Sequence, residues 1–326
     1  MKTDRKTIVV SEFIDASAIE SLQRHFDVRA DATLVERPET LRERLADADA
    51  LIVRNRTQVT AALLDAAPRL AVVGRLGVGL DNIDVGACDA RGIEVIPATG
   101  ANARAVAEYV IATSLMLLRG AYLSSAAVAQ GRWPRTALSG GREVAGSTMA
   151  VIGFGGIGQL VAQLAHGLGM QVVGHDPHVP ADAACWREQR VQCVSFADAL
   201  RAADVVSVHV PLVDGTRNLL GAAPLSTLKP HAVVINTSRG GVIDESALAD
   251  ALRHARIGGA ALDVFADEPL KAGSPLADAP NLILTPHIAG LTLQSNERVS
   301  TLIASRVTTA LLDAARDAMN PHGAST

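Results

Sequence analysis

The sequence predicts an α/β fold built from two parallel-sheet domains. Short apolar runs rich in β-branched residues recur along the chain, and segments with helical periodicity separate them. Continuous apolar strands of this kind are typical of parallel sheets that helices cover on both faces. The chain has 326 residues, of which 48% are hydrophobic, and this is enough core material for two domains.

The predicted strands fall into two groups along the chain. The group nearer the N-terminus consists of Ile8–Val10, Ala50–Val53, Leu70–Val73 and Gly92–Ile96. The second group consists of Met149–Ile152, Gln171–Val173, Ala203–Val208, Ala232–Ile235, Ala260–Leu262 and Asn281–Leu284. Two groups of strands predict two sheets, and the stretch Ile96–Gly100, which contains Pro and Gly, is a candidate hinge between them.

The last long segment of helical periodicity predicts a helix that returns to the first domain. Its apolar side chains share one helical face, formed by Val299, Leu302, Ile303, Val307, Leu311 and Leu312. The first domain is therefore predicted to be discontinuous. Residues 1–100 plus 292–326 form the expected substrate domain, and residues 101–291 form the expected cofactor domain.

Charge and cysteine content disfavour several classes of protein. The 30 basic and 34 acidic residues give a net charge of −4 without a basic stripe, which disfavours nucleic acid as a partner. The three cysteines are odd in number and lack metal-type spacing. Buried reduced thiols are therefore expected at Cys88, Cys185 and Cys193, with neither a disulfide framework nor a metal site.

The sequence predicts neither a targeting segment nor a membrane anchor. Met1–Lys6 is polar and is followed directly by a predicted strand. The most apolar stretch, Ala105–Leu118, is too short for a membrane span, and Glu108 interrupts it. A cytoplasmic protein without a membrane partner is expected.

A glycine-rich motif lies between a predicted strand and a predicted helix. It follows Met149–Ile152 directly and consists of Gly153, Phe154, Gly155, Gly156, Ile157 and Gly158. The pattern GxGxxG alone is a weak signal, but between a strand and a helix it is typical of a dinucleotide-binding Rossmann domain. The first glycine permits the tight turn, the second lets the backbone approach a pyrophosphate, and the third allows close helix–strand packing.

Asp176 is the candidate residue for binding the adenosine ribose. It ends the next predicted strand, 18 residues after Gly158, near the position at which such a carboxylate accepts the ribose hydroxyls. A carboxylate there repels a 2′-phosphate, and no Lys or Arg follows until Arg187. NAD is therefore predicted rather than NADP. The structural alternative is a glycine turn followed by a surface aspartate.

Polar segments follow four strands of the second group. They are His209–Pro211, Asn236–Gly241, Leu262–Pro269 and Leu284–Gly290. Open α/β sheets bind ligands at these carboxyl ends. With these segments and the loop Gly77–Asp84, the chain resembles the D-isomer-specific 2-hydroxyacid dehydrogenases over nearly its whole length. The resemblance implies two Rossmann/flavodoxin-like domains with the active-site cleft between them, and hydride transfer between a small acid and NAD.

The resemblance places the family's catalytic set on Arg239, Glu268 and His287. A histidine suits the general base that removes the hydroxyl proton, and it becomes the acid in the reverse reaction. Glu268 would orient the ring and stabilise its cationic form. Arg239 offers a rigid fork to the substrate carboxylate. Each residue alone also fits a structural interpretation, as a turn cap, a strand end or a loop residue.

The resemblance implies further contacts to cofactor and substrate. Near the nicotinamide it places Asn102, Thr237, Ser238 and Asp263. On the adenine side it places His209, Val210, Pro211 and Thr216, for which an ordinary strand end and turn is the alternative. A second anchor for the substrate carboxylate is implied at the backbone amides of Gly77, Val78 and Gly79.

Three arginines of the first domain are candidates for binding a second anion on the substrate. Arg54 and Arg56 follow a predicted strand and Arg75 precedes the glycine loop, although surface charge is the alternative interpretation. Their sequence contexts resemble the 3-phosphoglycerate dehydrogenase branch, whereas Ser11–Asp15 and Val53–Val59 resemble the sulfolactate dehydrogenases of the same branch. Because phosphate and sulfonate are both tetrahedral anions, 3-phosphoglycerate, 3-sulfolactate and other 2-hydroxy acids of the glyoxylate/hydroxypyruvate type stay open.

A non-catalytic NAD-sensing scaffold is the alternative class of function, because corepressors occur on the fold of this family. The presence of all three catalytic-type residues favours the enzyme. The resemblance also implies a homodimer through the helix Asn102–Leu118 and the segment Ala121–Trp133. Both are richer in apolar residues than a solvent-facing edge requires.

Overall fold

The computed structural model describes residues 5–120, 122 and 124–319, with 314–319 as backbone only. Parts of the segments predicted at Met1–Lys6, at Ala121–Trp133 and after the last helix lie outside the described residues. The chain divides into two compact units. Unit 1 comprises Met1–Asn102 and Leu291–Thr326, and unit 2 comprises Ala103–Gly290.

Each unit contains one parallel sheet. The strands of unit 1 are β1 (Thr7–Val10), β2 (Asp27–Ala30), β3 (Ala50–Val53), β4 (Val72–Arg75) and β5 (Glu94–Pro97), in the order β2-β1-β3-β4-β5. The strands of unit 2 are β6 (Thr148–Ile152), β7 (Gln171–His175), β8 (Gln192–Cys193), β9 (Val205–Val208), β10 (Val233–Asn236), β11 (Gly259–Leu262) and β12 (Leu282–Leu284). Their order is β12-β11-β10-β9-β6-β7-β8.

Helices follow most of the strands, and polar side chains cap several of them. The helices are α1 (Ala16–Gln23), α2 (Pro38–Leu45), α3 (Ala61–Leu64), α4 (Val85–Asp89), α5 (Ala103–Arg119), α6 (Ser125–Ala129), α7 (Gly156–Gly167), α8 (Ala184–Glu188), α9 (Phe196–Ala202), α10 (Ala222–Ser226), α11 (Glu245–Arg253) and α12 (Leu293–Met319). Side chains that accept a backbone N–H at the first turn are those of Asp15, Thr60, Asp84, Ser195 and Asp244. Such caps satisfy amides that the helix itself leaves without a partner.

The sheet of unit 1 is covered by apolar side chains on both faces. Ile8 and Val10 of β1 belong to one core cluster, and Val9 between them belongs to the other. Helix α12 lies on β4, because a Cβ added at Gly74 would stand 2.8 Å from Ile303 Cγ2 and 2.9 Å from Val307 Cγ2. Helix α12 therefore belongs to unit 1, whose second segment is Leu291–Thr326. Leu312 departs from the predicted buried face and is 39% exposed.

The strand order of unit 2 creates a switch point beside β6. From β6 the chain builds outward through β7 and β8, and it then crosses back so that β9 pairs with the other side of β6. Open α/β sheets bind ligands at the carboxyl ends of the strands at such a point. The loops after β6 and β9 therefore mark the candidate site.

The structure contains two strands that sequence patterning did not predict, β2 and β8. Both lie at sheet edges, where one side of the strand needs no apolar cover. Strand β2 has exposed residues at both ends, and β8 is only two residues long. All three cysteines are free, but only Cys88 is buried, so the expectation of burial was wrong for the half-buried Cys185 and Cys193. Within the described ranges, no helix has the length and apolar character needed to cross a membrane.

Candidate active site

The glycine motif forms the turn between β6 and α7. Gly153 has φ +92°, and a Cβ there would stand 2.5 Å from the carbonyl oxygen of His209. A Cβ at Gly158 would stand 2.2 Å from the carbonyl oxygen of Gly153. At Gly155 and Gly156 a Cβ would meet no atom within 4 Å, so the start of α7 borders open space. These two positions fit the close approach of a phosphate to helix amides.

Phe154, the residue between the first two glycines, anchors the motif in the core. Its buried ring stacks on Trp186 of α8, with the ring centroids 4.1 Å apart. The Trp186 indole N–H donates to the Pro180 carbonyl oxygen at 2.9 Å. Gly174 of β7 makes room for the indole, because a Cβ there would lie 2.5 Å from it. This aromatic pair, which the sequence did not predict, anchors the glycine loop to the core of unit 2.

Asp176 follows β7 directly and is joined to the glycine motif. Its Oδ2 accepts the Phe154 N–H at 2.8 Å, and its Oδ1 accepts the His178 N–H at 2.9 Å. Each carboxylate oxygen has lone-pair capacity for a further donor. The carboxylate is therefore held beside the glycine loop, and its contact with a ribose stays a prediction.

The segment after β9 lies against the same loop. The His209 N–H donates to the Ile152 carbonyl oxygen at 2.7 Å, and the His209 carbonyl lies against Gly153. Burial lowers the pKa of His209 from 6.5 to about 4, so its imidazole is neutral at pH 7. Thr216 closes the following turn, because its hydroxyl donates to the Pro211 carbonyl oxygen at 2.6 Å and accepts the Val213 N–H at 2.9 Å.

The residues of unit 2 fit a nicotinamide dinucleotide. The Thr237 hydroxyl oxygen, directly after β10, is buried and has no hydrogen-bond partner in the described structure. A buried polar atom without a partner is costly, and a carboxamide group would satisfy it. In unit 1 the Asn102 Oδ1 is buried and unsatisfied in the same way. The unpaired Thr237 hydroxyl and the open space at Gly155 and Gly156 are the two observations by which the residues of unit 2 fit this cofactor.

His287 and Glu268 form a close pair. The imidazole Nδ1 lies 2.9 Å from Glu268 Oε2, and Glu268 Oε1 accepts the Phe265 N–H at 3.1 Å. Because a carboxylate accepts, Nδ1 carries the proton of this bond and Nε2 is the nitrogen left to exchange a proton with substrate. The His287 side chain is 44% exposed, so solvent and small molecules reach it.

The loop that carries His287 is held by Asp263. The Asp263 Oδ1 accepts from the Thr285 hydroxyl at 2.6 Å and from the Ile288 N–H at 2.8 Å, and its Oδ2 accepts the Ala289 N–H at 2.7 Å. The His287 N–H donates to the Asp263 carbonyl oxygen at 2.9 Å. The described side-chain contacts of this buried carboxylate, which follows β11, are therefore with the loop after β12. Its predicted place near the nicotinamide stays a prediction.

Arg239 lies in a turn that Asn236 organises at the end of β10. The Asn236 Oδ1 accepts the Ser238 N–H at 3.0 Å and the Ser238 hydroxyl at 2.7 Å, and its Nδ2 donates to the Arg239 carbonyl oxygen at 2.9 Å. A Cβ at Gly240 would stand 1.7 Å from the Phe265 carbonyl oxygen. The Arg239 turn therefore abuts the loop that carries Glu268. Sequence reasoning placed Asn236 in the polar segment after this strand but did not predict its role in the turn, although an Asn there is a known turn signal.

In unit 1, a buried carboxylate organises the arginine loop after β3. Glu12 Oε1 accepts the N–H groups of Arg54 at 2.8 Å and Thr57 at 3.0 Å, and Oε2 accepts the Arg56 N–H at 3.2 Å. Asn82 adds to this, because its Nδ2 donates to the Thr57 carbonyl oxygen at 2.7 Å. Sequence reasoning used Ser11–Asp15 only as a resemblance and did not predict this role of Glu12, which lies two residues after the buried strand β1.

The two arginines of this loop have different environments. The Arg54 guanidinium donates to Asn296 Oδ1 and lies 5.7 Å from the centroid of the Phe13 ring. Burial lowers the pKa of Arg54, and the charge of Glu12 partly opposes this effect. The Arg56 side chain is 60% exposed and pairs with Glu36 at 3.3 Å on the surface. The structure therefore separates two residues for which the sequence predicted one role.

Arg75 and the Gly77–Gly79 loop are packed together. A Cβ at Gly77 would stand 1.7 Å from Arg75 Nη1, so a side chain there would displace this guanidinium. The Gly77 N–H donates to the Arg75 carbonyl oxygen at 2.8 Å. Val78 is 39% exposed and therefore accessible. Of the three predicted amide anchors, Gly77 is thus already used within the loop, and the role of Val78 and Gly79 stays a prediction.

Comparison with known proteins identifies the family to which this chain belongs. The sequence profile of the D-isomer specific 2-hydroxyacid dehydrogenase, NAD binding domain, matches residues 111–289. The (S)-sulfolactate dehydrogenase of Chromohalobacter salexigens is 51% identical over 304 residues, which cover 93% of this chain and 98% of that protein. The D-3-phosphoglycerate dehydrogenase 2, chloroplastic, of Arabidopsis thaliana is 41% identical over 305 residues, which cover 93% of this chain and 48% of that protein. The chain thus spans about half the length of this second relative.

A solved structure supports the same assignment. A glyoxylate reductase from Paecilomyes thermophila matches with a TM-score of 0.81 and 27% identity, covering 94% of this chain and 95% of that one. The profile covers more than half of the chain, and the (S)-sulfolactate dehydrogenase matches nearly end to end. The chain therefore belongs to the D-isomer-specific 2-hydroxyacid dehydrogenase family and is an NAD-dependent oxidoreductase of 2-hydroxy acids.

Proposed function

We propose that this enzyme oxidises a three-carbon 2-hydroxy acid that carries a second anion, with 3-sulfolactate as the first candidate and 3-phosphoglycerate as the second. The environment of Arg54 carries the proposal. Its guanidinium contacts an amide oxygen and an aromatic ring, while the Glu12 carboxylate accepts three backbone amides. A partly desolvated cation of this kind is stabilised by an anionic ligand. The relative at 51% identity is named for sulfolactate, and this supports placing the sulfonate first.

The proposed catalytic residues are His287, Glu268 and Arg239. His287 Nε2 takes the proton of the substrate hydroxyl during oxidation and returns it during reduction. Glu268 holds the ring through Nδ1 at 2.9 Å and stabilises the cation that forms. Arg239 binds the substrate carboxylate and orients C2 through a bidentate fork. A bound nicotinamide would supply the acceptor for the hydride that leaves C2 while His287 removes the hydroxyl proton, and the product is the 2-keto acid.

The cofactor role is proposed for residues of unit 2. Amides at Gly155 and Gly156 bind the pyrophosphate, with Ile157 and Gly158 continuing the first turn of α7, and Asp176 binds the adenosine ribose. Contacts to the nicotinamide are proposed for Thr237 and Ser238 of unit 2, and separately for Asn102 of unit 1. The segment of His209, Val210 and Pro211, with Thr216, lines the adenine side. Unit 1 is then the substrate domain, with Arg54, Arg75 and the amides of Val78 and Gly79 as its binding groups.

A turnover assay over a substrate panel tests the proposal. The panel compares 3-phosphoglycerate, both enantiomers of 3-sulfolactate, glycerate, lactate and malate with NAD, and it uses NADP as the cofactor control. We expect the highest kcat/KM for an enantiomer of 3-sulfolactate. A preference for glycerate or lactate would move the enzyme to the glyoxylate/hydroxypyruvate type and remove the second anion from the proposal. Binding of NAD without turnover on any acid would favour an NAD-sensing scaffold.

Two arginine variants test the same site with a matched control. Arg54→Gln is expected to raise KM for the doubly anionic substrate by about tenfold to a hundredfold, since it removes a charge-assisted contact. Arg56→Gln removes the same charge two residues away, at a surface pair with Glu36, and should leave KM within about twofold. Equal effects of the two substitutions would contradict the assignment of Arg54.

We also propose a homodimer that uses α5 and the segment after it. On α5, Leu115 and Met116 are large apolar side chains exposed to solvent. Val128 of α6 and Trp133, which is 78% exposed, extend this apolar surface along the chain. Exposed apolar side chains in this number favour a protein partner. Light scattering at micromolar protein should report twice the mass of the chain, and the mass of one chain would refute the dimer.

The cellular location proposed for the enzyme is the cytoplasm. The three free cysteines support it, because reducing compartments keep thiols reduced. Fractionation of cells would test this location.

A further inference from the structure

We propose that Tyr109 is a positioning residue for His287, acting through a hydrogen-bonded chain of Tyr109, Thr285 and Asp263. The inference rests on the proposed role of His287. Tyr109 lies on α5, far along the sequence from the histidine, and it contacts neither His287 nor Glu268 among the hydrogen bonds of the described chain. Its hydroxyl instead meets Thr285, two residues before His287, with 2.6 Å between the two oxygens.

The direction of the chain follows from proton counting. The Thr285 hydroxyl has one proton, and it donates this proton to Asp263 Oδ1 at 2.6 Å. The Tyr109 hydroxyl must therefore donate to Thr285 Oγ1. Burial raises the pKa of Tyr109, and the nearby charge of Asp263 adds to the effect, so the phenol keeps the proton that it donates. Each hydroxyl thus donates to the next group, and the chain ends on a carboxylate.

The carboxylate at the end of the chain holds the backbone on both sides of His287. The side chain of Asp263 accepts from Thr285 before the histidine and from the amides of Ile288 and Ala289 after it. His287 itself has φ +56°, in the left-handed region that a residue with a side chain rarely adopts. Such a conformation persists only where the surrounding contacts enforce it. The orientation of the imidazole therefore depends on how firmly Asp263 and Thr285 are fixed.

Helix α5, which carries Tyr109, is anchored in the core of unit 2. Ala107 and Val110, which flank Tyr109 on the helix, are fully buried in the core that includes Met149 and Val151 of β6. The phenol is therefore carried by a helix that packs directly on the sheet of unit 2. Through Thr285 it connects the His287 loop, which is exposed, to this buried helix.

The protein contains a second tyrosine that serves as a matched control for Tyr109. Tyr122 is the only other tyrosine in the sequence. Its hydroxyl donates to Asn281 Oδ1 at 2.8 Å, immediately before β12, whereas Tyr109 meets Thr285 immediately after β12. Both side chains are half-buried, and burial raises the pKa of both. The two hydroxyls therefore form hydrogen bonds at opposite ends of β12. Only the end that Tyr109 contacts is followed by the loop that carries His287.

The experiment compares Tyr109→Phe with Tyr122→Phe in the full-length enzyme. Tyr109→Phe is expected to lower kcat about fivefold to twentyfold, because the loss of a buried hydrogen bond lets the imidazole leave its productive orientation. The dissociation constant of NADH, measured by fluorescence, should stay within about twofold, since the glycine loop is unchanged. Tyr122→Phe should leave both quantities within about twofold of wild type. Thermal unfolding of both variants checks that each loses a similar amount of stability.

A double-substitution cycle with Thr285 tests the chain itself. Thr285→Val removes both hydroxyl contacts and should lower kcat at least as far as Tyr109→Phe, while Thr285→Ser keeps the hydroxyl and should retain most of the turnover. Adding Tyr109→Phe to Thr285→Val should cause no further loss. Independent, multiplying losses would overturn the proposal. A wild-type kcat in Tyr109→Phe, or an equal loss in Tyr122→Phe, would also overturn it.

The role of His287 is tested separately by its own variant. If His287→Ala is inactive and Tyr109→Phe turns over like wild type, only the positioning role of Tyr109 fails. If His287→Ala keeps wild-type turnover, the proposed function of the histidine fails, and the positioning proposal fails with it.

Discussion

Replacing His287 by alanine is expected to lower kcat by about 10²- to 10⁴-fold, the contribution of a positioned general base. The imidazole Nε2 is the group proposed to accept the hydroxyl proton, whereas Glu268 is proposed to hold the ring through Nδ1 at 2.9 Å. Without the ring, water must take the proton, so the barrier to hydride loss from C2 rises. The measurement is the rate of NADH formation at saturating NAD and at saturating concentration of the best acid of the panel.

Binding of the cofactor separates this effect from misfolding. The glycine loop, Asp176 and Thr237 lie on β6, β7 and β10 or directly after them, and they make no hydrogen bond to the imidazole. The dissociation constant of NADH should therefore stay within about threefold in His287→Ala. His254→Ala is the matched control, because His254 is an exposed histidine at the end of α11 that pairs with Asp250. Wild-type turnover in His287→Ala would refute the mechanism.

Much of the fold was predictable because parallel sheets leave a strong pattern. Each of the ten predicted strands coincides in part with a strand of the structure, since both faces of a covered strand must be apolar. The edge strands β2 and β8 lack this requirement, and their sequences, Asp27–Ala30 and Gln192–Cys193, have no continuous apolar run. The glycine motif was predictable for a related reason, because steric limits at Gly153 and Gly158 leave little choice of residue.

The contacts that hold the candidate site together were not predictable from local pattern. Glu12 meets the arginine loop across 42 to 45 positions, and Tyr109 meets Thr285 across 176. No periodicity links residues that far apart, and a single sequence offers no covariation. The sequence also could not distinguish the roles of Arg54 and Arg56, because both are arginines in one loop. Their difference arises from burial against Phe13 and Asn296, which only the folded chain defines.

The glycine that closes the cofactor turn is expected to tolerate no side chain. In Gly158→Ala the new Cβ would stand 2.2 Å from the Gly153 carbonyl oxygen and 3.0 Å from Val151 Cγ1. The first of these atoms belongs to the backbone of the glycine turn itself, so α7 or the turn must shift. We expect a loss of about 1–3 kcal/mol in the free energy of unfolding. We also expect NADH to bind at least about tenfold more weakly, because the amides at the start of α7 move with the turn.

Gly167, at the other end of the same helix, provides the matched control. A Cβ there would meet no atom within 4 Å, so Gly167→Ala adds a methyl group without contact. Because alanine restricts the unfolded chain more than glycine does, this variant should gain about 0.4–1 kcal/mol in stability. Its affinity for NADH should be unchanged. Urea unfolding and fluorescence titration of both variants measure the two quantities. If Gly158→Ala unfolds and binds NADH like Gly167→Ala, close packing at the third glycine does not determine the cofactor site, and the open amides at Gly155 and Gly156 must suffice.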